Sequence, residues 1–207
     1  MTTQKLYDQW SATYDLVENK TRDLEKIACE EILGPLKFSH VVELGGGTGK
    51  NTGWLAQRAD RVLSLDFSSE MQGVARAKVT NENVEFGLAD IREPWNFGEF
   101  QPDIITCSLI LEHVKDLEHI FDQAAMVLGA GGRFYVCELH PFKQYDGSKA
   151  RFETEDGLKV TECFQHHVTD YANAALSNGF RIERMDEWFD DDNRTTMPRL
   201  ISFVFAR

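Results

Sequence analysis

A glycine-rich turn that follows directly on a short apolar strand is the feature that most constrains this chain. The strand pattern begins at His40 and breaks after Leu44, where the sequence G-G-G-T-G includes glycines at Gly45, Gly47 and Gly49. β-Branched residues before such a turn are typical of a buried parallel strand. Glycine tolerates positive φ and has no Cβ to block a ligand. The turn therefore predicts a place where a nucleotide-like ligand approaches the backbone.

The spacing of the glycines excludes two common nucleotide sites. The dinucleotide fingerprint G-x-G-x-x-G/A fails in both registers, because Lys50 or Thr52 stands at its third glycine position. The P-loop G-x-x-x-x-G-K-[ST] fails because Leu44 replaces its first glycine and Asn51 replaces its Ser or Thr. What remains is the pattern E-x-G-x-G-x-G, which starts at Glu43.

This pattern resembles motif I of the class I S-adenosylmethionine-dependent methyltransferases, and later segments agree with it in order. A second predicted strand, 61–66, and a third, 84–90, each end in an acid, and a fourth spans 103–110. The sequence L-E-H-V follows at 111–114, and V-L-G-A-G-G-R-F-Y-V follows at 127–136. Both runs are similar to the small-molecule branch of that family.

The two ends of the chain fit the fold that the resemblance implies. Two predicted strands, 180–189 and 200–205, are joined by an acidic loop with no crossover helix, so they must be antiparallel. We therefore predict an α/β fold, a Rossmann-like doubly wound, mostly parallel seven-stranded sheet with an antiparallel C-terminal strand. One methyltransferase domain is expected to cover 1–207, with an N-terminal helical lid at 1–35 and an inserted cap at 140–168.

The resemblance implies that the cofactor is S-adenosyl-L-methionine. A carboxylate at Asp66 suits both ribose hydroxyls, although the same acid could also serve the start of the following helix. Asp90 would sit by the adenine amino group, with Ile91 packing on the base. The predicted cofactor-binding residues are Tyr14, Glu43, Gly45, Gly47, Gly49, Asp66, Phe67, Met71, Asp90, Ile91 and Ser108.

The lid is predicted from a helical pattern over 6–18, in which Tyr7, Trp10 and Tyr14 share one face. Such a face is expected either to pack on the core or to close over the cofactor. A second helix is predicted over 23–33, with Ile27 among its buried residues. Trp10 and His113 are predicted to bind the substrate.

The cap is predicted to carry the acid–base chemistry. It contains a hairpin around Asp156-Gly157, a dipeptide suited to a type I′ turn, and Thr169 is expected to cap the next helix. His140, His166 and His167 bracket this segment and are the predicted catalytic residues, because histidine titrates near neutrality. If the acceptor needs no deprotonation, these histidines would only shape the pocket.

Composition narrows the class of partner. The net charge is −12 and the basic residues are scattered, which disfavours nucleic acid and anionic membranes. The four cysteines, Cys29, Cys107, Cys137 and Cys163, form no C-x-x-C pair, so we expect reduced thiols and no metal site. A cytoplasmic protein without an export signal or a membrane-spanning segment is predicted, as a monomer or homodimer.

The predicted function is methyl transfer to a small-molecule O or N nucleophile. The sulfonium is already an activated electrophile, so the protein must place the acceptor in line with the methyl carbon. The [DN]-P-P-[YFW] motif of exocyclic-amine nucleic-acid methyltransferases is absent, since residues 107–110 read C-S-L-I. Three alternatives stay open: a catalytically silent cofactor-binding or interaction protein, a nicotinamide-dinucleotide oxidoreductase, and a methyltransferase that acts on a protein side chain.

Overall fold

The computed structural model describes residues 2–148, 151–154 and 157–207. Its strands are β1 (His40–Leu44), β2 (Arg61–Asp66), β3 (Val84–Leu88), β4 (Ile104–Ser108), β5 (Arg133–Leu139), β6 (Arg151–Thr154), β7 (Gly157–Val160), β8 (Arg181–Trp188) and β9 (Leu200–Ala206). Its α-helices are α1 (Thr3–Trp10), α2 (Lys20–Leu33), α3 (Thr52–Ala56), α4 (Ser69–Lys78), α5 (Leu117–Val127), α6 (Pro141–Tyr145) and α7 (Val168–Ser177).

Seven of the strands form one sheet in the order β3-β2-β1-β4-β5-β9-β8. The first five are parallel, and β9 runs antiparallel to both of its neighbours. In the register, Val42 of β1 lies between Leu63 of β2 and Ile105 of β4. The predicted fold class is confirmed. This order places the carboxyl ends of β1 and β4 side by side, at the point where ligands bind in open α/β sheets.

Apolar clusters cover both faces of the sheet. Phe121 of α5 packs edge-on against Phe134 and Phe205, and this cluster continues to α7. On the other face, Cys29 and Ile32 of α2 belong to a second buried cluster. The central parallel strands β1, β4 and β5 are therefore buried on both sides, which explains their mostly apolar sequences, whereas the edge strand β3 has no fully buried residue.

The N-terminal segment differs from the predicted helix over 6–18. Helix α1 ends at Trp10, and a 3₁₀ turn (Tyr14–Leu16) follows it. The hydroxyls of Ser11 and Thr13 bond backbone carbonyls of α1, a local competition that ends helices. Tyr7, Trp10 and Tyr14 nevertheless cluster, with 4.7 Å between the Trp10 and Tyr14 ring centroids.

Helix α2 begins earlier than predicted, because the Asn19 side chain accepts the amides of Thr21 and Arg22. Its face is also rotated from the prediction. Ile27 is 56% exposed, whereas Glu25 is fully buried.

The cap has the predicted hairpin, with β6 and β7 paired antiparallel. Gly157 of the predicted Asp156-Gly157 turn pairs with Thr154 as a strand residue, and Asp156 lies outside the described residues. Helix α7 begins at Val168 with His167 as its N-cap residue, so the predicted cap at Thr169 is wrong by two positions. In the described ranges, no helix is long and apolar enough to span a membrane.

Candidate active site

A pocket lies at the carboxyl ends of β1, β2 and β4, beneath the N-terminal segment. With the exception of Gly49, the predicted cofactor residues line this pocket: Tyr14, Glu43, Gly45, Gly47, Asp66, Phe67, Met71, Asp90, Ile91 and Ser108. Residues separated by almost a hundred positions in sequence thus meet at one end of the sheet.

Two glycines of the glycine-rich turn have different surroundings. Gly47 lines the pocket, and Gly49 packs against the protein behind it. Gly47 has φ +56°, and a Cβ there would meet open pocket rather than protein. Gly49 has φ +80° and faces away from the pocket, against Ala75 and Val79 of the helix that follows β2. Side chains at both positions are strained by the left-handed backbone. Only the first of these two glycines leaves room for a ligand.

Glu43 supports the turn from behind while also reaching the pocket wall. Its buried carboxylate accepts hydrogen bonds from the hydroxyls of Thr52 and Ser64, the second at 2.7 Å. Burial raises the pKa of Glu43, and these two hydrogen bonds oppose that shift. Glu43 therefore joins the end of β1 to β2 and to the first residue of α3, which follows the turn.

Asp66 ends β2 and bonds the glycine-rich turn directly. One carboxylate oxygen accepts the Gly47 amide at 2.9 Å, and the other accepts the Ser68 amide at 2.8 Å. Burial raises the pKa of Asp66, while these backbone donors lower it. The adjacent helix is capped by the Ser68 side chain, which accepts the Met71 amide. Asp66 is thus held rigidly with its side chain in the pocket wall.

Asp90 lies on the adjacent wall and has a partner that the sequence did not indicate. Arg92 bonds its carboxylate through Nε at 2.8 Å and through Nη2 at 2.5 Å. This arginine lowers the pKa of Asp90, which remains an acceptor at neutral pH. Arg92 also lines the pocket.

A buried arginine forms the wall next to the Tyr14 ring. The guanidinium of Arg22 lies 4.1 Å from the ring centroid of Tyr14, and its Nη atoms bond the carbonyls of Tyr14 and Val17. Its Nε is buried and has no hydrogen-bond partner among the described residues. A buried, incompletely paired guanidinium in a pocket wall is suited to bind a carboxylate.

A charged network lies beside this arginine. Lys50 forms an ion pair with the fully buried carboxylate of Glu25, and the Asn51 amide donates to the same carboxylate at 3.1 Å. All three residues line the pocket. Sequence reasoning missed this network, because charges on an amphipathic helix normally indicate a solvated face.

The opposite side of the pocket contains a tyrosine–histidine pair. The Tyr7 hydroxyl lies 2.9 Å from His113 Nε2, and His113 Nδ1 lies 2.9 Å from the carbonyl oxygen of Glu162. A carbonyl only accepts, so Nδ1 carries the proton and neutral His113 has its lone pair on Nε2. Burial raises the pKa of Tyr7 well above its usual range, so its hydroxyl donates to that lone pair.

Glu112 adds negative charge to this side. Its Oε1 lies 3.9 Å from His113 Nε2, and its buried Oε2 has no partner in the described part of the chain. The predicted cap contacts the backbone of the segment that carries Glu112 and His113: the Phe164 amide donates to the Glu112 carbonyl at 2.6 Å. The cap therefore contacts the predicted substrate-binding residue His113, as expected for an acceptor site.

The three histidines predicted to be catalytic do not line the pocket. His140 accepts the Phe142 amide at Nδ1 and faces Glu187 at 3.2 Å through Nε2, and burial lowers its pKa. His166 donates from Nε2 to the Val114 carbonyl at 2.7 Å. His167 is exposed beside the Tyr145 hydroxyl. The rings of His140 and His166 bond residues outside the cap, and the ring of His167 bonds within it.

Trp10, predicted to bind substrate, is also outside the pocket lining. Its ring is buried in a cluster with Leu6 and Met71 and packs on Tyr14. Of the two predicted substrate residues, His113 alone lines the pocket. Tyr7, one helical turn before Trp10, takes the place in the pocket that Trp10 was expected to have.

Comparison with known proteins agrees with this site. Residues 42–136 match a methyltransferase domain family. A demethylmenaquinone methyltransferase of Clavibacter sepedonicus is 30% identical over 140 residues, which cover 65% of this chain and 56% of that protein. The chain thus spans just over half the length of this relative.

Solved structures have the same fold. An S-adenosylmethionine-dependent methyltransferase from Mesorhizobium loti superposes with a TM-score of 0.74 at 22% identity, covering 89% of this chain and 98% of that one. The DhpI–SAH complex superposes with a TM-score of 0.76 at 22% identity, covering 98% and 93%. The chain therefore has a match to a methyltransferase domain family over 42–136 and the fold of solved S-adenosylmethionine-dependent methyltransferases, in agreement with the predicted resemblance.

Proposed function

We propose that this chain transfers a methyl group from S-adenosylmethionine to an oxygen or nitrogen atom of a small molecule. One observation carries the proposal: Asp66, bound to the glycine-rich turn, and the Tyr7–His113 pair lie in the same pocket. The first group suits a nucleoside, and the second suits an acceptor that loses a proton. The name of the similar demethylmenaquinone methyltransferase also refers to a small-molecule acceptor.

The cofactor would lie across the ends of the first three strands. Asp66 would accept the ribose hydroxyls, and Asp90 with Ile91 would hold the adenine. Arg22, whose Nε has no hydrogen-bond partner among the described residues, would take the carboxylate of the methionine part, and the nearby Glu25 and Glu43 suit its ammonium group. Of these groups, Arg22, Glu25, Glu43 and Asp66 are buried and already bonded within the protein, so little ordering is required of them.

The chemistry needs little from the protein beyond placement. When bound, the sulfonium supplies the methyl group, whose C–S bond breaks as the bond to the acceptor forms, with the electron pair remaining on sulfur. The chain holds the acceptor in line and excludes water. His113 Nε2 is suited to take the acceptor's proton through the Tyr7 hydroxyl, which would pass its own proton to Nε2 as it receives the proton of the acceptor.

His140, His166 and His167 keep their predicted catalytic role only as a weaker proposal. Their contacts support positions in the cap scaffold. His113 is the better candidate because its Nε2 lies in the pocket wall and bonds the lid. Trp10 would act on the substrate only through the Tyr14 and Tyr7 rings it contacts.

The proposal also covers the cellular location, the class of acceptor and the oligomeric state. The buried thiols of Cys29, Cys107 and Cys137 support a reducing cytoplasmic location. Scattered basic residues and a net charge of −12 support a small-molecule acceptor over a nucleic acid. A monomer or homodimer remains the proposed assembly, with one domain over 1–207.

Two experiments test the proposal. Isothermal titration with S-adenosylmethionine, S-adenosylhomocysteine and NAD should give binding of the first two, and binding of NAD alone would support an oxidoreductase. Labelled methyl transfer should then be screened with a naphthoquinol, a catechol and phosphoethanolamine. Cofactor binding without transfer to any acceptor in a wider screen would favour a catalytically silent binding protein.

A further inference from the structure

The turn that carries His113 begins with a strained residue. Leu109, directly after β4, has φ +57°, a left-handed conformation that leucine rarely adopts. A strained backbone persists only where its surroundings hold it in place, and such residues cluster at functional sites. Here the strain lies between two pocket-lining residues, Ser108 and Ile110.

A buried glutamate on the neighbouring strand holds this turn. Glu138 of β5 is 1% exposed, and its Oε1 accepts the amides of Ile110 at 3.0 Å and Leu111 at 2.9 Å. The backbone of the preceding residue, Cys137, accepts the Leu109 amide at 2.9 Å. Two consecutive residues of β5 therefore fix three consecutive amides of the turn.

Neither the cofactor contacts nor the proposed proton transfer uses Glu138. A fully buried carboxyl is costly unless its hydrogen bonds have a purpose, and here they are made to the backbone of one turn. That turn ends in the 3₁₀ segment Leu111–His113, which directs His113 towards Tyr7. An apolar residue at 138 would leave the Ile110 and Leu111 amides without their acceptor.

We propose that Glu138 is a positioning residue, which clamps the strained turn after β4 and so sets the position of His113 against the lid and the acceptor. The inference rests on the acceptor role proposed for His113. Burial raises the pKa of Glu138 to about 8, so the side chain is mostly neutral at pH 7. Glutamine is therefore a close mimic of it, whereas alanine and leucine remove the acceptor.

The test measures amide hydrogen exchange by NMR in the apo protein. In Glu138→Ala and Glu138→Leu, protection of the Ile110 and Leu111 amides should fall at least about 10-fold relative to that of β1. Glu138→Gln should stay within about 3-fold of the wild type. Glu183→Gln is the matched control, because Glu183 pairs with Arg133 at the other end of the same strand. Leucine fills the volume should the alanine variant not fold.

A second readout separates positioning from general support of the core. Long-range ¹H–¹⁵N spectra should give the Nδ1–H tautomer of His113 in the wild type and in Glu138→Gln, and a mixture in Glu138→Leu. Wild-type protection and tautomer in Glu138→Leu would overturn the proposal, as would loss of protection spread evenly through β1. Titrating S-adenosylhomocysteine into the wild type tests the proposed function separately.

Discussion

The two sides of the pocket are built in different ways. On the cofactor side, Gly47 and Asp66 lie at the ends of adjacent strands and bond each other across 19 positions. On the acceptor side, Tyr7 and His113 bond across 106 positions, and the cap contributes the carbonyl of Glu162. The first side follows from strand order, whereas the second depends on how three separate segments pack. We expect this difference between the two sides where related enzymes use the same cofactor but act on different acceptors.

The largest effect is expected at the glycine-rich turn. Gly47→Val should abolish binding of S-adenosylmethionine, because φ +56° is strained for valine and its side chain would fill the ligand's place. Gly98→Val is the matched control: Gly98 also has positive φ and open space around it but lies outside the pocket lining. Calorimetry should give no binding for the first variant and normal affinity for the second. Normal affinity in both would reduce the turn to a structural role.

The next effect separates the acceptor side from the cofactor side. His113→Gln should lower kcat by roughly 10²–10⁴ for an acceptor that needs deprotonation, with cofactor affinity nearly unchanged. The matched control is His119→Gln on α5, where the ring contacts only the Glu93 carbonyl among the described residues. An acceptor already neutral at pH 7 would instead show a raised KM with little change in kcat.

Alanine variants of His140, His166 and His167 sharpen the same comparison. Because their ring nitrogens hold the cap, we expect small changes in kcat and lower thermal stability. A fall in kcat at one of them, with none at His113, would move the proton acceptor to the cap. Steady-state kinetics with the acceptor identified by the methyl-transfer screen makes the distinction.

A smaller effect is expected at Asp66, the carboxylate proposed to accept the ribose hydroxyls. Asp66→Ala should weaken S-adenosylmethionine binding by on the order of 1.5–3 kcal/mol, as for a lost charged hydrogen bond. Asp103→Ala removes a carboxylate that likewise accepts two amides, those of Ser39 and His40, but at the amino end of the sheet. Calorimetry should give wild-type affinity for the control. Equal affinities in the two variants would contradict the assignment of Asp66.

The last prediction concerns Glu138 and the pH dependence of stability. Its pKa is raised from about 4.5 to about 8, so the native state binds a proton that the unfolded state has released between these values. The free energy of unfolding contributed by Glu138 is therefore complete below pH 4.5 and falls as pH rises towards 8, by at most about 1.4 kcal/mol per unit. The titratable groups that face it are Cys107, Glu112, Cys137 and Tyr171.

Denaturant unfolding of wild type and Glu138→Gln between pH 5 and 8 measures this slope. The glutamine variant cannot release the proton, so its stability should depend less on pH than that of the wild type. Glu43 and Asp66 are also buried, but they are the same in both proteins. Their contributions therefore cancel in the difference between the two stability curves. Parallel stability curves would mean that Glu138 is already ionised in this range.

The sequence predicted what is encoded locally. The bounds of β2 agree with the structure, because an apolar run bounded by turns defines a buried strand. Asp66 could be placed because it ends this strand. Gly49 was assigned to the cofactor because it shares the pattern, yet its missing Cβ serves packing on Ala75. A motif specifies spacing but not which side of the turn each glycine faces.

The remainder depends on contacts between distant segments. The sequence gives no signal that Arg22 is buried, because its environment is created by Tyr14 and the pocket wall. In the sequence, Glu138 cannot be distinguished from other strand residues. Only the structure places it beside the strained turn at Leu109. The cap histidines were singled out for their chemistry, whereas His113 owes its role to the lid that reaches it.

A crystal structure with S-adenosylhomocysteine tests most directly whether one pocket joins these two sides. We expect the ribose hydroxyls to donate to the Asp66 carboxylate and the sulfur to face Tyr7 and His113. The methionine carboxylate should lie against Arg22. A ligand bound outside this pocket, or a sulfur directed away from His113 towards Glu25, would contradict the proposed arrangement.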